Sequence, residues 1–156
     1  MRILSAWLLF LVPTAASPHQ PLLLGKLNFG RYVLDGHVMR TQAKAYQEAD
    51  GLTIKVGVPP VGPRQEVFYL KYTKPTADPD GAYQVAFLSF NYTTDSGVYG
   101  VNYDIDLRST LHRTSSGGYS GTFSGVCPAQ ASATGKISRV SGVFTNVHPA
   151  SPSQQQ

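Results

Sequence analysis

Cysteine is almost missing from this chain of 156 residues. Cys127 is the single one, so no intrachain disulfide can form and stability has to come from burial. His19, His37, His112 and His148 stand far apart with no paired spacing, which argues against structural zinc. Charge is sparse too, at 14% of residues, and the 13 basic and 9 acidic side chains are scattered. A formal net charge of +4 without a basic block favours solubility over nucleic acid as a partner. No apolar run reaches the roughly 20 residues that a membrane-spanning helix needs. No helical pattern separates the apolar segments, and no fixed-period repeat suggests a solenoid or propeller.

What is present begins with an export signal. Met1-Arg2, an apolar run over residues 3–12 and the small residues of Pro13-Thr-Ala-Ala-Ser17 predict a signal peptide over 1–16, cleaved after Ala16. The residue after that point is Ser17 and not a cysteine, so no lipid anchor is expected there and the mature chain is predicted to be secreted or periplasmic. Residues 17–25, with Pro18 and Pro21, read as a leader, 26–147 as one β domain, and the apolar-poor 148–156 as a disordered tail.

Within the domain, apolar residues recur at period two. Asp35-Gly36 predicts a two-residue hairpin turn, after which Met39, Thr41, Ala43 and Ala45 share one parity while Arg40, Gln42 and Lys44 share the other. A short helix competes there on propensity alone. Leu52, Ile54, Val56 and Val58 make the cleanest half-buried strand, closed by Pro59 and Pro60. Residues 66–73 are apolar on both faces and predict a central strand. Residues 82–92 and 98–107 follow, the latter with Tyr99, Val101, Tyr103, Ile105 and Leu107 opposite Gly100, Asn102, Asp104 and Asp106.

The last segment carries the plainest folding instruction. Strands at 109–114, 119–127 and 136–147 are joined by a Ser115-Ser-Gly-Gly118 turn and a loop through Pro128, with a bulge expected at Gly142. Gly121 and Gly125 alternate with Tyr119, Phe123 and Cys127, leaving room beside the rings for close packing. Cys127 then reads as an inward, inert apolar filler, with a reactive or intermolecular thiol as the alternative. The whole reads as a single all-β domain of about eight strands, an antiparallel β-sandwich or a closed β-barrel.

Gly118-Tyr-Ser-Gly-Thr-Phe-Ser-Gly125 and Val140-Ser-Gly-Val-Phe-Thr-Asn-Val147 resemble the closing strands of small exported β-rich domains of unknown function found mainly in Bacteroidota. Leu34-Asp-Gly-His-Val-Met and Asp50-Gly-Leu-Thr-Ile are similar to their opening strands. The resemblance implies a β fold and export, and it carries no catalytic residue or cofactor.

Chemistry is thinly marked. Ser120, Ser124, His112 and Asp104 or Asp106 supply the residue types of a hydrolytic triad, and a hairpin would bring His112 near Ser120. Neither serine lies in a strand-to-helix nucleophile elbow. Asp78 with Asp80, and Asp104 with Asp106, are the oxygen-bearing candidates for a metal, calcium being the only cofactor that fits them. On a regular strand the second pair would stand about 7 Å apart, too far to share one ion unaided. The chain has 9 tyrosines, and Tyr69, Tyr83 and Tyr119 are the candidates for outward rings that stack on a ligand. The expectation is an exported non-catalytic domain that binds a small molecule, a glycan or a protein, or serves as structure; the alternative is a small secreted hydrolase using Ser120, His112 and an aspartate.

Overall fold

The computed structural model describes residues 28–57, 66–75 and 82–150. The predicted signal peptide and leader, Asp78, Asp80 and residues 151–156 lie outside these. The described residues form nine strands: β1 (Phe29–Leu34), β2 (His37–Gln47), β3 (Gly51–Val56), β4 (Glu66–Thr73), β5 (Gln84–Thr94), β6 (Gly97–Asn102), β7 (Ile105–Arg113), β8 (Tyr119–Cys127) and β9 (Ser138–Val147). All pair antiparallel in one sheet of order β6-β5-β4-β3-β2-β1-β9-β8-β7.

That order dictates the shape. β6 and β7 are the two edges, yet only Tyr103 and Asp104 connect them. Nine strands laid flat would hold the edges about 38 Å apart, at roughly 4.8 Å per strand. Three peptide units reach only about 10 Å. The sheet therefore has to curl until its edges meet at this corner, and it does, as a half-barrel. Tyr103 still pairs with β5, its N–H donating to the Leu88 carbonyl at 2.9 Å, before the chain crosses to the other edge. The architecture lies between the sandwich and the closed barrel expected from the pattern: one curled sheet whose edges β6 and β7 share no ladder.

The predicted continuous strand 98–107 is thus two strands on opposite edges, and β7 runs on through Arg113. Alternation hid the break, because Tyr103 keeps the parity of Tyr99 and Val101 while entering the core. β2 bends the sheet at its middle: His37 to Gln42 pair with β1, and Ala43 to Gln47 pair with β3. The period-two reading of β2 as strand holds, and Ala43 and Ala45 are buried.

Turns follow the local chemistry. Asp35 and Gly36 both take positive φ, 48° and 87°, in the two-residue turn between Leu34 and His37. The bulge expected at Gly142 is instead where β8 begins and β9 ends, with the register shifting between Tyr119 and Gly121 and Asn146 adopting φ 48°. Gly142 stays in register, and its missing side chain makes room for the Phe123 ring. The chain end is not free immediately after β9. Pro149 bridges Ala45, and the Ala150 N–H donates to the Ala45 carbonyl at 2.8 Å, so residues 148–150 correct the expected disordered tail.

The core fills the inside of the curl. Leu52, Ile54 and Val56 of β3, Phe68, Leu70 and Tyr72 of β4, and Phe123, Phe144 and Val147 of β8 and β9 are buried there. Each such side chain contributes about 1.5–3 kcal/mol relative to exposure. Phe68 is central: its ring stacks on Phe90 at 4.5 Å and meets Tyr32 edge-on at 4.8 Å. Cys127 faces inward as predicted, and burial pushes its thiol pKa up, which disfavours the reactive thiolate.

Candidate functional site

Because Tyr32, Phe123, Val140 and Phe144 point into the core, their neighbours on β1, β8 and β9 point away from it. Register then assembles a surface no single segment contains. Val33, Ser141, Ser124 and Arg108 lie in one cross-strand row, and Arg31, Val143, Thr122 and Thr110 lie in the next. Long arginines stand around short hydroxyl side chains, so the surface dips between them. The result is a pair of adjoining open grooves of about 360 and 420 Å³ that share Val33, Arg108, Ser124 and Ser141. Arg139 and Asp106 close one end.

The polar groups in this groove divide into committed and free. Thr110 and Thr122 hydroxyls bond each other at 2.9 Å, and the Thr122 N–H donates to Thr110 Oγ1 at 3.0 Å. Ser109, on the inner side of β7, donates to the Thr122 carbonyl at 2.7 Å and shares a 2.6 Å bond with the Tyr72 hydroxyl. These bonds fix β7 against β8 and against the opposite wall of the curl. By contrast, among the described residues Ser124 and Ser141 have no hydrogen-bond partner for their hydroxyls, and Arg31, Arg108 and Arg139 have no ion pair.

Of the tyrosines predicted to face outward, Tyr119 is buried, with its hydroxyl donating to Gln47 Oε1 at 3.4 Å. Its parity with Phe123 and Cys127 already implied this. Tyr83 is half-buried beside a separate hollow lined by Glu48, Asp50 and Lys74, and its hydroxyl accepts from Gln47 Nε2 at 3.1 Å. Tyr69 is on the outer face of β4, where the Lys55 ammonium lies 5.1 Å from its ring and 4.4 Å from that of Tyr46. The structure therefore brings Tyr83 and Tyr119 together on the two ends of the Gln47 amide and leaves Tyr69 apart from them.

The carboxylates are dispersed likewise. Asp104 lies at the β6–β7 corner, and Asp106 lies in a bulge of β7 with φ 50°, so the regular i, i+2 spacing behind their pairing does not apply. Among the described residues no three of His, Cys, Asp and Glu gather as a metal site. Asp35 serves the fold instead. It accepts from Ser138 Oγ and the Arg139 N–H, each at 2.7 Å, and Ser138 shares a 2.9 Å bond with the buried Tyr103 hydroxyl.

His112 does lie directly opposite Ser120 in the β7–β8 ladder, as the hairpin argument predicted. Ser120, however, is buried and accepts the Asn146 N–H at 2.8 Å, while among the described residues His112 has no hydrogen bond to serine or carboxylate. A triad requires its base to be oriented by a third group.

Sequence reasoning missed the groove, since Arg31, Arg108, Ser124 and Ser141 come from four strands whose adjacency depends on the distant pairing of β1 with β9. No protein-family model, curated protein or solved structure matches the chain.

Proposed function

We propose that this chain is an exported, non-catalytic β domain that binds a glycan along the groove on the outer face of β1, β9, β8 and β7. The observation that carries this reading is a pair of hydroxyls, Ser124 and Ser141, opposite each other at the groove floor and flanked by arginines, all of them without a hydrogen-bond or ion-pair partner for these side chains among the described residues. Free hydroxyls and fork-shaped donors on an open, elongated surface suit a hydroxyl-rich chain. A drug-sized molecule calls for a deeper cavity that encloses most of its surface, and a protein partner calls for an apolar core patch with aromatic anchors. The secretory pattern of residues 1–16 and the resemblance to exported β-rich domains support a secreted or periplasmic location.

A polysaccharide array probed with the protein and with Ser141→Trp tests the reading. Ser141 is exposed, so the indole fills the groove without entering the core. Binding to at least one polysaccharide that Ser141→Trp abolishes, with an unchanged circular-dichroism spectrum, is the expected result. Binding that survives this substitution, or turnover of the bound glycan, contradicts it.

A further inference from the structure

Resting on that reading of the groove, we infer that its ligand is an acidic polysaccharide, one whose sulfate or carboxylate groups meet Arg31, Arg108 and Arg139. Three observations lead there. Arginine stands on three sides of the serine pair, with Val33 on the fourth: Arg108 is directly opposite Ser124, Arg139 is two residues before Ser141 on β9, and Arg31 is in the neighbouring row.

The second observation is a cost. Arg31 faces Arg40 directly across the β1–β2 ladder, both exposed, and like charges in that position weaken a sheet. The same like-charge arrangement recurs where Lys44 faces Lys55 across the β2–β3 ladder, and among the described residues it is Lys71 that is held by ion pairs, to Glu48 at 3.0 Å and Asp50 at 3.3 Å. Among the described residues the groove arginines have no such partner, and Asp106 at the groove end is the one carboxylate lining it. An anionic ligand would remove the repulsion on binding, so the unpaired charge is intelligible as a binding device.

The third is geometry. A guanidinium presents a planar fork that accepts a carboxylate or sulfate through two parallel hydrogen bonds, whereas the serine hydroxyls can exchange bonds with sugar hydroxyls. The arginines rise from three strands, which suits anionic groups repeated along a chain better than one small anion. Single-stranded nucleic acid requires exposed rings for its bases, and the two aromatic residues beneath this groove, Tyr32 and Phe123, are each 2% exposed.

The test is binding of the protein to immobilised dextran sulfate, polygalacturonate and neutral dextran at about 0.15 M salt, where long-range charge is screened beyond roughly 8 Å. The paired variant Arg31→Gln with Arg108→Gln is compared with Lys44→Gln and Lys74→Gln together, which removes the same charge from the other half of the sheet. The inference expects one of the acidic polymers to bind, neutral dextran not to, and the arginine pair to weaken binding about tenfold or more while the lysine pair changes it less than about twofold. Equal losses in both variants would reduce the effect to net charge and overturn the inference. So would equal affinity for single-stranded DNA or for phosphatidylserine vesicles. If only neutral polysaccharides bind, and Ser141→Trp abolishes that binding, the acidic ligand is wrong and the glycan-binding groove stands. If Ser141→Trp changes nothing, the groove itself is wrong.

Discussion

The rings of Phe68, on β4, and Phe123, on β8, meet at 5.9 Å although five strand-to-strand steps separate them along the sheet. Only a sheet curled on itself allows this contact, so the pair reports the curl directly. Phe68→Ala removes the ring that also touches Tyr32, Phe90 and Tyr103. Its expected cost is about 3–5 kcal/mol, read by urea denaturation. Phe87→Ala, at a position 43% exposed, should cost far less.

Gly142 gives a second test of the same interior. A methyl group there would strike the Phe123 ring and approach the Arg31 carbonyl at 2.8 Å. Gly142→Ala should therefore destabilise by about 1–3 kcal/mol. Adding Phe123→Leu should recover part of that loss, and a double-mutant cycle with no coupling between the two would show that the ring and the glycine do not compete for space.

Asp35 closes the corner on which the curl depends. Asp35→Ala removes the acceptor for Ser138 and the Arg139 N–H and leaves the Ser138–Tyr103 bond without its anchor. A loss of about 1–3 kcal/mol in thermal or urea unfolding is expected. Asp35→Asn, which tolerates positive φ and keeps an acceptor oxygen, should lose less.

Alkaline pH should unfold the domain in a defined window. Burial pushes Tyr32 and Tyr72 up to about 12, from an ordinary value of 10.0, with Glu66 adding to the effect at Tyr32 and the Ser109 bond opposing it at Tyr72. Between those values the folded chain retains phenol protons that the unfolded chain releases, so stability falls as pH rises. The contribution is fully present below about pH 10 and lost by about pH 12. Urea midpoints measured from pH 8 upward should decline through that interval, less steeply in Tyr72→Phe; a flat profile would exclude ionising buried phenols.

Much of the fold is written locally. β4 matches the predicted bounds at both ends because its alternation is strong, and the Asp35-Gly36 turn follows because Asp-Gly is one of the few pairs that accept positive φ at both positions. The corner at Tyr103 is not legible, since nothing in Asn102-Tyr-Asp104 breaks the alternation and neither glycine nor proline marks the turn. The crossing is a tertiary event, driven by burial of Tyr103 and its bond to Ser138. The groove fails to appear in the sequence for a related reason. Ser124 and Ser141 look like solvated strand positions until β9 is placed between β1 and β8. Of the three tyrosines, conspicuous as a residue type, the curl brings Tyr83 and Tyr119 to one Gln47 side chain and leaves Tyr69 on the outer face of β4, a grouping that periodicity cannot specify.

The central claim concerns where a ligand touches the sheet, and amide chemical-shift mapping during titration with soluble dextran sulfate oligomers reads that directly. The account predicts saturable shifts concentrated at Arg31, Arg108, Ser124, Arg139 and Ser141. Shifts centred instead on Tyr46, Lys55 and Tyr69, or spread evenly over the exposed basic residues, would contradict it.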